Sequence, residues 1–112
     1  MLIYKILHAA EWANLRADGK TQGAPVDLAD GFIHFSTAEQ VAETAKKHFG
    51  GQAGLILLAL KADSLGDALV WEPSRGGQLF PHLYGTLALK DVYWSTDLPL
   101  GPDGHVFPAE MA

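Results

Sequence analysis

The feature that most restricts the fold is a run of six apolar residues, 55–60, in the middle of the chain. A strand with one solvated face would alternate apolar and polar residues, and this run does not alternate. The run therefore predicts a central β-strand that is buried on both faces and forms the middle of the core.

The composition is that of one folded domain over residues 1–112. Of these residues, 48% are hydrophobic and 19% are charged, which excludes intrinsic disorder, and a chain of this length can bury one hydrophobic core. Because the chain contains no cysteine, disulfides, thiol nucleophiles and cysteine-based metal sites are excluded. Any chemistry must come from histidines, hydroxyl groups, arginines and carboxylates.

The charge pattern bears on partners and location. The formal net charge is −5 and the basic residues are scattered, so the sequence disfavours nucleic acid as a partner. The longest apolar run is far shorter than the roughly 18–20 residues that a membrane-spanning helix needs. The first residues lack the pattern of a signal peptide. We therefore expect a cytoplasmic protein without membrane contact, and the sequence gives no indication of its oligomeric state.

The first half of the chain contains both of the main helices that we predict. In order, the pattern predicts a strand over residues 2–7, a helix over 9–17, a loop over 20–30, a strand over 32–36 and a helix from about 37 to 49. Ser36 with Glu39, or Thr37 with Gln40, fits a capping box at the start of the second helix. Gly50 and Gly51 end it.

The second half is predicted to be strands and loops. We expect strands over residues 69–72, 87–89 and 92–95, a loop over 73–78, an extended segment over 79–85, and an irregular tail from about residue 98. Pro81 indicates an edge strand or a loop. This order lacks the regular alternation of a doubly wound fold, so the fold class is α+β. We expect a curved or split mixed β-sheet with the two helices packed on one side.

Three histidines lie at strand ends or within aromatic strands. They are His8, His34 and His82, and a buried imidazole requires a reason. His34 has Ser36 two residues on and His82 has Tyr84, so each pair would share one face of an extended chain. These residues are candidates for one ligand cavity, while a packing role for each histidine remains open.

A second candidate region follows the strand that ends at Glu72. Arg75 lies in a loop beside Gly76 and Gly77, where backbone amides can approach a ligand and arginine suits a phosphate or carboxylate. A solvated surface loop is the alternative. His34, His82 and Glu72 could together hold zinc or iron, but no short-range ligand spacing supports that site and we expect no metal.

Two long motifs carry a family resemblance. Asp-Gly-Phe-Ile-His-Phe-Ser-Thr at 30–37 and Phe-Pro-His-Leu-Tyr-Gly at 80–85 resemble the bacterial domain of unknown function 952 family. The similarity extends over nearly the whole chain. The family name carries no function.

A more distant similarity implies an activity. The strand ending in His8, the following helix, Gly31 and the Ile-His-Phe-Ser strand resemble the RNA 2′-phosphotransferases of the ADP-ribosyltransferase-like superfamily. The resemblance implies an ADP-ribosyltransferase-like fold, with NAD as a substrate and therefore a small-molecule or nucleotide ligand as the partner. It implies that His8, His34 and Ser36 surround the NAD.

The reaction that this superfamily implies is cleavage of the nicotinamide–ribose bond, with positive charge growing on the sugar. On that basis Glu72 would be the carboxylate that stabilises the sugar, with His82 as an alternative catalytic group. Arg75 would bind a phosphate and Tyr84 would stack on a ring. Three other functions remain open: a non-catalytic module that binds a small ligand on the same fold, a metal-dependent enzyme that uses histidine and glutamate, and a domain that acts through protein contacts.

Overall fold

The computed structural model describes residues 1–111, with the exception of the side chain of Arg75. The helices are α1 (Ala9–Asp18), α2 (Pro25–Asp30) and α3 (Ala38–Phe49). The strands are β1 (Leu2–His8), β2 (Lys20–Thr21), β3 (Ile33–His34), β4 (Leu55–Lys61), β5 (Leu69–Pro73), β6 (Leu79–Leu83), β7 (Leu87–Ala88), β8 (Val92–Leu98), β9 (Leu100–Gly101) and β10 (Gly104–His105). Short 3₁₀ segments cover Ala62–Ala68, Arg75–Gly77, Leu89–Asp91 and Ala109–Met111. The fold class is α+β, as the sequence predicts.

The apolar run forms the middle strand of a three-stranded sheet with the order β1-β4-β8. Leu58 and Leu60 point into one hydrophobic cluster, whereas Leu57 and Ala59 point into a second cluster on the opposite face. All four are fully buried. The prediction of a central strand buried on both faces is therefore confirmed.

The two long helices cover opposite faces of this sheet. Leu15 of α1 packs in the cluster that contains Leu58, while Val41 and Ala45 of α3 pack in the cluster that contains Leu57. The expectation that both helices lie on one side was therefore wrong. A strand that is apolar on both faces needs a cover on each, and each helix provides one of them.

A second three-stranded sheet has the order β3-β6-β5. Its middle strand contains Pro81, so the expectation that this proline marks an edge strand or a loop was wrong. Proline lacks an N–H but keeps its carbonyl, and the Pro81 oxygen accepts a hydrogen bond from the Phe35 nitrogen at 3.0 Å. A bridge between Tyr4 and Ser36 joins this sheet to β1.

The described strands form two three-stranded and two two-stranded sheets, which agrees with the split form that was expected, but the sheets are not mixed. Every strand pair among the described residues is antiparallel. The chain leaves β1 at His8 and re-enters the sheet beside it at Leu55, because these two residues pair across the strands. Two adjacent strands that meet in this way must run in opposite directions.

Two segments that we expected to be irregular contain regular structure. The loop predicted over residues 20–30 holds β2, which pairs with β7, and α2, which has Pro25 at its first turn. The tail predicted from about residue 98 holds the β9–β10 hairpin. Phe107 and Met111 of this tail pack against the cluster that contains Leu57. Among the described helices, none has the length and apolar character that a membrane span requires.

Candidate functional site

A cavity of about 480 Å³ lies along the side of β1 that faces away from β4. The start of α2 and one face of α3 enclose it. Its apolar wall includes Ile6, Val41 and Phe49. The polar residues of its lining are Tyr4, Lys5, His8, Glu11, Asp30, His34, Ser36, Thr44, His48 and Ser74. The volume and the mixture of apolar wall and polar groups are typical of a site for a small molecule.

A buried ion pair anchors one wall of the cavity. The Lys5 ammonium donates to both oxygens of Asp27, with Nζ–Oδ1 and Nζ–Oδ2 distances of 3.0 and 2.8 Å. Lys5 is 7% exposed and Asp27 is 1% exposed. The Asp27 carboxylate also accepts the backbone N–H groups of Ala24 and His34, at 2.8 and 3.0 Å. These bonds satisfy a carboxylate that burial alone would destabilise.

The environment of Asp27 keeps it ionised. Burial raises the pKa of the Asp27 carboxyl, but the hydrogen bonds from His34 and the charge of Lys5 together outweigh burial and hold this pKa well below its usual range. Burial lowers the pKa of Lys5 below its ordinary value, and Asp27 opposes that effect. The two side chains therefore form an ion pair, without net charge, between β1 and α2.

His34 continues this network to the cavity. Its Nδ1 lies 2.6 Å from Asp27 Oδ1, and its Nε2 lies 2.9 Å from Asp30 Oδ2. Each ring nitrogen therefore faces a carboxylate oxygen, to which an N–H on that nitrogen can donate. The ring is thus fixed at both ends, and it is 32% exposed at the cavity.

Ser36 presents a hydroxyl to the same cavity. Its Oγ lies 2.9 Å from Thr44 Oγ1, and the Thr44 hydroxyl donates to the Gln40 carbonyl oxygen at 3.2 Å. Because Thr44 has a single hydroxyl hydrogen, Ser36 is the donor in the Ser36–Thr44 bond. The lone pairs of the Ser36 oxygen can then accept a hydrogen bond from a ligand.

His8 lies at the end of β1, where α1 begins. Its backbone N–H donates to Glu11 Oε1 at 2.8 Å, which caps α1. The ring Nδ1 lies 3.3 Å from the same oxygen, and Nε2 lies 2.8 Å from Gln52 Oε1. Both ring nitrogens therefore have protein partners, and the ring contributes mainly its surface to the cavity.

Glu72, His82 and Tyr84 form a separate hydrogen-bonded group on the second sheet. Glu72 Oε1 accepts from His82 Nδ1 at 2.8 Å and from the Tyr84 hydroxyl at 2.7 Å. The hydrogen bond from His82 and, as the next largest cause, the bond from Tyr84 lower the pKa of Glu72. The bond to Glu72 raises the pKa of the Tyr84 phenol. At neutral pH Glu72 is thus an acceptor with two protein donors. None of the three residues lines the cavity.

The Phe32 ring links the two groups. It stacks on His82 with the ring centres 4.1 Å apart, and its centre lies 4.6 Å from that of His34 and 5.2 Å from that of Tyr84. His34 and His82 pair across β3 and β6, with ring centres 5.5 Å apart. His34 therefore contacts both the cavity and the group around Glu72.

Comparison with models of protein families identifies the family of this chain. Residues 6–95 match the model described as "Protein of unknown function (DUF952)". The chain belongs to the DUF952 family.

Two solved structures of the protein CC0527 from Caulobacter crescentus resemble it closely. The crystal structure shares 55% sequence identity, with 94% of this chain and 92% of that chain covered and a TM-score of 0.90. The solution NMR structure shares 56% identity, with 93% and 90% covered and a TM-score of 0.84. The comparison with curated proteins found no match.

The structure separates the predicted site residues of this DUF952 protein into two groups. His8, His34 and Ser36 line the cavity, whereas the group of Glu72, His82 and Tyr84 lies beside it. The Arg75 side chain lies outside the described part of the chain. Within residues 1–111, no group of three or more histidine and acidic side chains is arranged to hold a metal ion. The trio of His34, His82 and Glu72 is therefore not gathered as a metal site in the described residues.

Lys5, Asp27 and Asp30 were not predicted from the sequence as residues of this network. A signal for Lys5 was present, because it alternates with Ile3 and Leu7 on β1 and so occupies the core face of that strand. A charge in such a position needs a buried partner. No pattern in the sequence of this DUF952 protein identifies Asp27 as that partner.

Proposed function

We propose that this DUF952 protein binds a nucleotide of the NAD or ADP-ribose type in the cavity beside β1. One observation carries the proposal. His8, His34 and Ser36 are the residues that the ADP-ribosyltransferase-like resemblance implies around NAD, and all three line the same cavity. His8 ends β1, His34 belongs to β3, and Ser36 forms the bridge to β1. The fold therefore brings His8 to the same cavity as His34 and Ser36, which lie more than 20 positions away in the sequence.

The cavity offers groups suited to one half of such a nucleotide. Ile6, Val41 and Phe49 provide an apolar surface for a flat ring. Ser36 and Asp30 provide acceptors for hydroxyl or amide hydrogens. The cavity would thus take a ring and its attached sugar, while the phosphates would lie toward the rim, where Ser74 precedes the glycine-containing loop.

The reaction that the resemblance implies is cleavage of the nicotinamide–ribose bond. Positive charge develops on the ribose as this bond breaks, and a nearby carboxylate stabilises it. Two acidic side chains line the described cavity, Glu11 and Asp30, whereas Glu72 does not. For Glu72 to stabilise the sugar, its side chain would have to give up the hydrogen bonds from His82 and Tyr84.

A second candidate function is binding without turnover. Both ring nitrogens of His8 and both ring nitrogens of His34 face protein acceptors in the structure. Neither imidazole has a nitrogen available to take a proton from a bound molecule while these bonds persist. This observation favours a module that senses or carries the nucleotide.

The test is thermal unfolding titrated with NAD, ADP-ribose and nicotinamide, with free nicotinamide assayed in the same samples. At about 100 times its dissociation constant, a ligand should add roughly 2.7 kcal/mol and raise Tm by several degrees. We expect this rise for the wild type and for His105→Ala, a histidine outside the cavity, and no rise for His34→Gln.

The outcomes separate the two functions. Nicotinamide released over time by the wild type indicates turnover, whereas a Tm rise without release indicates binding alone. If none of the three compounds raises Tm, the nucleotide proposal is wrong.

A further inference from the structure

We infer that Asp30 is the residue that binds the hydroxyl groups of the ligand's sugar, an inference that rests on the proposed function. The ligand class it selects is a ribose with free vicinal hydroxyls, in preference to a deoxyribose or a 2′-phosphorylated ribose. None of the sequence motifs indicates this role.

The position of Asp30 is set by a chain of contacts that begins in the core. In the buried Lys5–Asp27 pair, Asp27 Oδ1 lies 2.6 Å from His34 Nδ1. His34 Nε2 in turn lies 2.9 Å from Asp30 Oδ2. Asp30 itself is exposed, with 47% of its side chain accessible, and it lines the cavity. A carboxylate hydrogen-bonded to a network that is anchored in the core is an acceptor already in place before a ligand arrives.

The charges around the cavity favour a hydroxyl donor at this position. Lys5 is neutralised by Asp27, which leaves the carboxylates of Glu11 and Asp30 as the acidic groups among the described side chains of the lining. Glu11 already accepts the backbone N–H of His8 at 2.8 Å. A phosphate at this wall would meet like charge, whereas a diol can donate two hydrogen bonds to one carboxylate.

The Asp30 carboxylate can accept a hydrogen bond from a ligand in addition to its contact with His34. Oδ2 is the oxygen that bonds to His34, and Oδ1 of this exposed side chain has lone pairs for a ligand. Glu72, the carboxylate favoured by the sequence, differs on both counts: it lies off the cavity and one of its oxygens already accepts from His82 and Tyr84. The geometry therefore favours Asp30 over Glu72 for contact with the sugar.

The experiment compares the affinities of NAD and of its analogue that lacks the 2′-hydroxyl on the nicotinamide ribose, by isothermal titration calorimetry. The variants are Asp30→Asn, Asp30→Ala and the control Asp18→Asn. Asp18 is matched to Asp30 because each is the last residue of a helix and precedes a glycine in the left-handed region, Gly19 (φ 78) or Gly31 (φ 84). Asp18 does not line the cavity.

For the wild type and Asp18→Asn we expect NAD to bind about 10- to 100-fold more tightly than the analogue, the range for one hydrogen bond to a charged group. In Asp30→Asn and Asp30→Ala the ratio should fall to within a few-fold of one. The ratio is taken within each variant, so a general loss of stability does not imitate the result.

The outcomes distinguish this inference from the function on which it rests. If NAD binds to the wild type and the ratio survives in both Asp30 variants, Asp30 does not bind the sugar and the proposed nucleotide site stands. If the wild type shows no preference between the two compounds, the inference is also wrong. If neither compound binds to the wild type, both the proposed function and the inference are overturned.

Discussion

At the scale of single residues, Lys5 shows how a charged side chain can belong to a core. It occupies the face of β1 that also carries Ile3 and Leu7, yet it is nearly as buried as they are. Burying an ammonium group is costly unless a counter-charge and hydrogen bonds accompany it, and Asp27 supplies both. Because Asp27 also bonds to His34, the pair positions a side chain of the cavity as well as stabilising the fold.

We predict that Lys5→Met lowers the free energy of unfolding by about 3 kcal/mol, since it leaves the buried Asp27 carboxylate without its ammonium partner. Urea denaturation followed by circular dichroism measures the change. Lys47→Met is the control, because Lys47 pairs with Glu43 at 3.5 Å with both side chains more than half exposed, and its loss should cost less than about 0.5 kcal/mol. Similar losses in the two variants would contradict the role of the buried pair.

At the scale of elements, the short helix α2 determines where Asp27 and Asp30 lie. Pro25 stands at its first turn, and the Asp27 carboxylate accepts the Ala24 N–H at 2.8 Å, so the residue that pairs with Lys5 also caps the helix. Gly23 has a φ of 113 and lies directly against Asp27. The segment before α2 is therefore packed closely onto the buried carboxylate.

We predict that Gly23→Ala destabilises the protein more than Gly31→Ala, although both glycines have positive φ. A Cβ at Gly31 (φ 84) meets nothing within 4 Å, so that variant should lose only the roughly 1–2 kcal/mol of left-handed backbone strain. A Cβ at Gly23 would lie 2.5 Å from the Asp27 Cβ, which forces the carboxylate to shift.

The measurement is the free energy of unfolding of both variants in urea, and we expect Gly23→Ala to lose at least about 1 kcal/mol more than Gly31→Ala. If the proposed function holds, Gly23→Ala should also weaken binding of NAD, because Asp27 lies 2.6 Å from the His34 ring and orients it. Equal stabilities for the two variants would show that the contact between residue 23 and Asp27 is not tight.

At the scale of the whole molecule, two hydrophobic clusters share the sheet of β1 and β4. Tyr4 and Ile6 face one cluster and Ile3 and Leu7 face the other, so a single pair of strands supports both halves of the core. The cavity lies beside the edge of β1 that, among the described residues, carries only the bridge to Ser36. The same strand thus supplies core residues, the buried Lys5 and one wall of the site.

The response of the whole protein to acid should reflect Asp27. Its pKa is lowered in the folded state relative to the ordinary value of about 3.9, so the stability it contributes is fully present above about pH 4. That contribution is lost as the pH falls further, because the unfolded chain takes up the proton first. We predict that the free energy of unfolding of the wild type drops between pH 4 and pH 3.

Urea denaturation at pH 7, 5, 4 and 3 tests this dependence against Asp27→Asn. The variant is expected to be less stable at pH 7 and to lose less on acidification, with a residual slope from other carboxylates such as Glu72, whose pKa is also lowered. Parallel curves for the variant and the wild type would contradict the assignment to Asp27.

Local patterns in the sequence were enough to determine several elements. The apolar run at residues 55–60 predicted the central strand. A capping box at the start of α3 was also predicted, from Ser36 with Glu39 or from Thr37 with Gln40; the second forms, with the Thr37 N–H donating to Gln40 Oε1 at 3.0 Å. Periodicity and capping depend on residues a few positions apart. The motifs at residues 30–37 and 80–85 indicated the family, whose model matches residues 6–95.

Only the tertiary structure decided which side chains meet. The antiparallel return of the chain to β1, the placement of the two helices on opposite faces and the position of Pro81 in a middle strand all depend on contacts between distant segments. Asp27 meets Lys5 across 22 positions of sequence. Glu72 lies outside the cavity for the same reason, because the folded pairing of β5 with β6 sets it opposite Phe80 and gives it His82 and Tyr84 as hydrogen-bond partners.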